Sequence, residues 1–126
     1  KKDNKELLTY LLFEAQNESE YIRLLKEEIG DQFEALPKHN LYYLKKGLRK
    51  IIRHLDRYIR YSGNKETELE MRIFLCSKMA EKNVPFRRIQ AFQTIYGAQV
   101  KKMDAALKKL HEDLQYDYLQ EIDALR

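Results

Sequence analysis

Tryptophan is absent from the 126 residues, cysteine occurs once, proline twice and glycine four times. Each shortage excludes something. A single cysteine, Cys76, rules out an intramolecular disulfide and a cysteine-built zinc site. No apolar run approaches the ~20 residues that a membrane-spanning helix needs. No glycine-rich phosphate loop is present, and the three histidines (His39, His54, His111) form neither HxxxH nor HExxH. Paired Glu-x-x-His motifs, which di-iron bundles require, are missing too: Leu36, Ile51 and Lys108 stand three positions before those histidines. No metal and no cofactor is expected. The opening stretch KKDNKELLTYLL contains Asp3 and Glu6 and lacks a small-residue cleavage site, so it does not read as a signal peptide. The reducing cytoplasm is the expected compartment.

What remains is charge and helix formers. Charged residues make up 35% of the chain, and runs rich in Leu, Glu, Lys, Arg, Gln and Ala favour helix. No segment alternates like a strand. The few breakers divide the chain. Pro37 pushes the residue before it out of the helical region, Gly63 and Asn64 supply a turn and an N-cap, and Pro85 suits a first helical turn. Helices are expected at 3–36, 39–61, 64–82 and 85–126. Apolar residues recur in steps of three and four within each: Leu8, Leu11, Ala15, Ile22, Leu25, Ile29, Phe33 and Leu36 in the first, interrupted at Glu18, and Leu41, Leu44, Leu48, Ile51, Leu55 and Tyr58 in the second. Leu69, Ile73 and Cys76 follow in the third, then Tyr96, Val100, Met103, Leu107, Leu114 and Ile122 in the fourth. Short connections between such helices predict an all-α, antiparallel up-down-up-down four-helix bundle in one domain, with long first and last helices. Two weak points stand out, NESE (17–20) as a capping box and Gly97.

The outer helices exceed the inner pair in length, so the start of the first and the end of the last should project together from one end of the bundle. Both extensions carry apolar side chains. Leu8 and Leu11 on one, Leu114 and Ile122 on the other, are the expected oligomerisation residues, because exposed apolar patches mark contacts. The alternative is a pair of ends that folds back.

The net charge of +4 conceals a strong layout. Both ends of the chain are acidic, whereas residues 37–61 hold eight basic side chains against one acid, Asp56, and residues 84–110 hold six against Asp104. Such blocks mark interaction surfaces. At about 100° per residue, Lys46, Lys50, Arg53, Arg57 and Arg60 gather opposite the apolar stripe of the second helix, with Arg49 and Lys45 beside them. Lys101 and Lys102 repeat the theme on the last. A row of cations with no acid inside its stripe, Asp56 lying at the margin, suits a phosphate backbone and gives salt-dependent, largely sequence-independent binding to RNA or DNA. Tyr42, Tyr43 and Tyr61 at the ends of that helix are placed to stack on unpaired bases. The competing classes are a protein–protein adaptor whose basic face docks an acidic partner or a sister subunit, and a solvated or internally docked face.

An Arg-x4-His string, Arg49 to His54, resembles the motif of HEPN ribonucleases, which are helical and usually dimeric. The expectation here is nonetheless non-enzymatic. Positions i and i+5 of one helix diverge by about 140°, and His54 falls near the apolar face as a half-buried, hydrogen-bonded core-edge residue. Cys76, on the apolar stripe, is expected to behave as a buried small hydrophobe. The stretch SKMAEKNVPFRRIQAF (77–92) has a helix–turn–helix flavour with Arg87 and Arg88 at the start of its second helix, but lacks the usual turn glycine.

The order of features resembles the accessory variability proteins of diversity-generating retroelements and their relatives encoded in ribosomal-RNA intervening sequences. The similar features are the Pro37-Lys38 break, the basic second helix, the short turn into a third helix carrying LEMRIFL (69–75), and a Pro-containing turn into the last. The likeness spans residues 20–112, and the family's Gly-x-x-Leu-x-x-Trp ending has no counterpart. It implies a ring-like homo-oligomer whose basic surface engages nucleic acid and a reverse transcriptase.

Overall fold

Asn17 is extended (φ −160°, ψ 101°) and its side-chain oxygen accepts from the Glu20 amide at 3.2 Å, so a helix begins behind it. The computed structural model describes residues 17–126, and these form five helices without a strand. They are α1 (Glu18–Glu34), α2 (Leu41–Ser62), α3 (Lys65–Glu81), α4 (Gln90–Leu107) and α5 (Glu112–Leu125). The all-helical expectation holds; the helix boundaries differ in three places. No helix runs through Asn17, because its side chain completes a cap there; Leu8 and Leu11 lie outside the described residues. The chain from 85 to 126 is two helices rather than one.

Packing divides the chain into two units, Lys1–Thr67 and Glu68–Arg126, with the boundary inside α3. In the first, α1 packs against α2 as an antiparallel hairpin. Tyr21, Leu25, Ile29 and Phe33 are fully buried at steps of four along α1, a stripe that follows from 3.6 residues per turn. The Tyr21 hydroxyl donates to the Tyr58 carbonyl at 2.9 Å, and the Ser62 hydroxyl donates to Glu18 Oε2 at 2.8 Å. Thr67 Oγ1 donates to the same carboxylate. At the other end of the hairpin a Cβ on Gly47 would come 2.7 Å from Leu36 Cδ2, so glycine lets Leu36 settle on α2. Gly63 closes α2 in the left-handed region (φ 68°), its amide donating to the Ile59 carbonyl at 3.0 Å. Asn64 then caps α3 through the amides of Glu66 and Thr67, at 2.9 and 3.0 Å.

In the second unit α3 ends in a Schellman turn. Asn83 takes φ 60°, the Val84 amide reaches the Met79 carbonyl at 2.9 Å, and both apolar side chains are buried, the contact that accompanies this motif. Pro85 does not open a helix. Residues 86–88 make a single turn, Ile89 is extended (φ −111°, ψ 123°), and α4 starts only at Gln90. Phe86 stacks on Tyr96, centroids 4.0 Å apart and planes 11° from parallel, which seats that turn. Arg72 is buried; its Nε pairs with Glu68 Oε2 at 3.0 Å and its Nη1 donates to Gln99 Oε1 at 2.8 Å.

At the end of α4 the Lys109 and Leu110 amides bond three residues back, and His111 turns extended (φ −60°, ψ 148°). His111 Nδ1 accepts from the Asp113 amide at 3.2 Å. The chain therefore reverses, and α5 packs on α4. The Tyr96 hydroxyl donates to the Leu125 carbonyl at 2.6 Å, Arg126 Nη2 reaches Asp104 Oδ1 at 2.8 Å, and the Tyr118 hydroxyl donates to Glu70 at 3.1 Å. This overturns the projecting extension for the end of the last helix; the half expected of the first helix lies outside the described residues. Ile122 is 0% exposed and Leu114 half-buried, because the 108–111 reversal turns their face inward. Ile122 is a core residue. Ile122→Ala should destabilise the protein by about 2–5 kcal/mol, measured by urea unfolding; a loss below about 1 kcal/mol would contradict its burial. In the same assay Gly97→Ala, where nothing lies within 4 Å of the added carbon, should stabilise by about 0.5–1 kcal/mol. Gly63→Ala, at positive φ, should destabilise by about 1–2 kcal/mol.

Candidate nucleic-acid interface

The basic side chains depend on α2 being one uninterrupted helix of 22 residues. Asn40 caps its start by accepting from the Tyr43 amide at 3.2 Å, and Gly63 ends it. Between the caps lies a long apolar stripe: Leu44, Leu48, Ile51, Leu55, Tyr58 and Ile59 are all buried. With that side fixed, the opposite side faces water. Lys46, Arg49, Lys50, Arg53 and Arg60 are exposed and Arg57 is half-buried. From Lys46 to Arg60 the row extends roughly 21 Å at ~1.5 Å per residue.

Among the described residues the row is electrostatically open. None of Arg49, Lys50, Arg53, Arg57 and Arg60 forms an ion pair with another described residue. The acids of α1 do not serve them: Glu20 and Glu27 pair with Arg23 of their own helix. That contact holds the Glu20 carboxyl below its ordinary range, the Arg23 hydrogen bond outweighing the opposing desolvation. Docking of the basic face on the described part of the acidic first segment is thereby corrected, since α1 takes the apolar side of α2. Lys46 lies over the Tyr42 ring, 5.9 Å from its centroid.

Lys101 and Lys102 are exposed on α4, in the second unit. Arg87 and Arg88 are exposed in the turn before α4, at an open cleft of about 360 Å³ lined also by Asn83, Val84 and Phe86. Arg87 lies over the Phe86 ring at 5.0 Å. A recognition helix beginning at Arg87 is absent, because helical geometry resumes only at Gln90.

Arg49 and His54 do not converge. Arg49 is exposed, whereas His54 is half-buried with Nδ1 2.9 Å from Gln32 Oε1. Gln32 Nε2 donates to Glu28 at 3.0 Å, which leaves Oε1 as acceptor and puts the proton on His54 Nδ1. The histidine is engaged with α1. No group of three or more His, Cys, Asp or Glu among the described residues is arranged to hold a metal, and none of their helices is long and apolar enough to cross a membrane.

No protein-family model, curated protein or solved structure matches this chain.

Cys76 is fully buried. Burial pushes its thiol from an ordinary value near 9 up to about 12, with Arg72 opposing the shift. Burial also raises the Tyr96 phenol, an ionised Cys76 adding to the effect and Arg87 opposing it. Both groups are neutral when protonated and both folded values lie above the unfolded ones. The stability they confer is complete below the unfolded values and is lost as pH rises through the folded ones. The urea midpoint should therefore fall between about pH 9 and 12, and Cys76→Ala should flatten that fall. At neutral pH a thiol reagent should leave the native chain unmodified and label it fully in urea; rapid native labelling would refute the burial.

Proposed function

We propose that this protein is a non-enzymatic helical protein that binds nucleic acid through the outward face of α2, as an accessory factor of a mobile or retro-element. The observation that carries the reading is the run Arg49, Lys50, Arg53, Arg57 and Arg60, without an ion pair among the described residues. Unpaired surface cations repel one another, so a row of them gains most when a polyanion covers it and counterions are released. The likeness to accessory variability proteins points the same way and adds a reverse transcriptase and a homo-oligomer to the proposed partners. For the chain as a whole the up-down-up-down bundle remains our proposal.

The adaptor reading has its own support. On α5, Tyr116 and Leu119 are exposed among Glu112, Asp113, Asp117 and Glu121. That acidic surface is complementary in charge to α2, and a second copy is the occupant it suits.

Fluorescence anisotropy with labelled oligonucleotides across a salt series tests the leading proposal. With about six phosphates neutralised, log K should fall against log salt with a slope of roughly −4 to −5. Arg53→Glu with Arg57→Glu should abolish binding while the helical circular dichroism is retained. Absence of binding by the unaltered protein at low salt would end the proposal. Binding that survives the double charge reversal would move the interface elsewhere.

A further inference from the structure

The two ends of the basic row are capped by aromatic rings that the fold leaves in water. Tyr42, Tyr43 and Tyr61 are 59%, 55% and 53% exposed. None of the three belongs to the buried core, although six other large side chains of the same helix do. At about 100° per residue, Tyr42 has the same angular position as Arg60, inside the cation row. Tyr43 and Tyr61 share a second position, eighteen residues or five full turns apart, on the flank that also carries Lys50 and Arg57. The Tyr42 and Tyr43 rings meet edge to face, 5.2 Å between centroids at 78°, and Lys46 brings its ammonium to the Tyr42 ring.

This placement decides between two forms of the polyanion. A duplex presents phosphates outward, while its base faces are covered by their neighbours; for it the cations suffice and the ring faces have nothing to meet. A single strand offers phosphates and open base faces together, and aromatic rings interleaved with cations engage both. A cation beside a ring, as at Lys46 and Tyr42, places a phosphate partner next to a stacking partner.

We infer that α2 binds single-stranded nucleic acid in preference to duplex, with Tyr42 and Tyr43 stacking on bases at one end of the cation row and Tyr61 at the other. The inference rests on the nucleic-acid function proposed for the same helix and specifies its substrate class. The cations set the salt dependence. The rings set the discrimination against duplex.

The phenol hydroxyls supply the one rival account, since a Tyr O–H can donate to a backbone phosphate without stacking. Phenylalanine separates the two, because it keeps the ring and loses the donor. The test uses the full chain with oligo(dT) and oligo(U) of about twenty nucleotides, and a duplex of equal length, at low salt. The single strands should bind at least about fivefold tighter than the duplex. Tyr42→Ala with Tyr43→Ala should weaken single-strand binding by about tenfold or more, with the salt slope unchanged. Tyr42→Phe with Tyr43→Phe should bind as the unaltered protein does. Because both side chains are exposed, circular dichroism should be the same for all three proteins. Equal affinity for duplex, or an alanine pair that binds normally, would overturn the inference and leave the nucleic-acid function standing. Equal loss in the phenylalanine and alanine pairs would overturn stacking in favour of hydroxyl–phosphate contacts. Failure of every probe to bind would remove the function itself. Of the two single strands, the tighter identifies RNA or DNA as the ligand.

Discussion

The rotation of α2 about its own axis is the constraint on which the candidate interface depends. A helix has one rotational setting that buries Leu44, Leu48, Ile51, Leu55 and Tyr58 together, and burial of each such side chain is worth about 1.5–3 kcal/mol. No arrangement of surface cations competes with that sum, since exposed ion pairs contribute at most about 1 kcal/mol each. The apolar stripe therefore goes to the interior and the cations are committed to water. Polar contacts with α1 then set the register of the hairpin: Glu18 holds Ser62 and Thr67 at one end, Tyr21 reaches the Tyr58 carbonyl beside them, and His54 meets Gln32 further along.

The cations of α2 and the cation of α3 at position 72 are treated in opposite ways. Those of α2 remain hydrated, and this costs little. Arg72 goes inside, and a buried guanidinium is tolerated only when its donors are satisfied. Glu68 one turn back and Gln99 on α4 supply acceptors. Such a pair is weak evidence for stability, because desolvation offsets the attraction. Its effect is to hold one alignment of α3 with α4. In the sequence Arg72 stands between Met71 and Ile73, a cation within an apolar run, and that interruption was the available sign of a satisfied interior charge.

The breaks show where local signals were sufficient and where they were not. Gly63 with Asn64 announces both the end of α2 and the start of α3, because a left-handed cap and an Asn cap act over three or four residues. Asn17 was a recognisable cap for the same reason. The break at 108–111 contains neither proline nor glycine, so apolar spacing alone carries one helix straight through it. The sign was electrostatic: Lys108 and Lys109 suit the negative end of one helix, Glu112 and Asp113 the positive start of the next. Pro85 misled in the opposite direction. It is compatible with a first turn, but Ile89 is extended, and the Phe86–Tyr96 stack between distant positions holds the turn apart from α4.

The amino-acid order by itself determined that the chain is helical, where most helices stop, and that α2 has an apolar side and a cationic side. Those properties depend on residue types three and four positions apart, and on caps of a few residues. Only the tertiary structure decided that α5 turns back to cover α4, that Ile122 is core, that Arg72 is enclosed, and that the described acids of α1 stay off the basic row. Each of these is a contact between residues far apart in the chain. Which surface covers which depends on the total apolar area that can be buried at once, a quantity no local window contains.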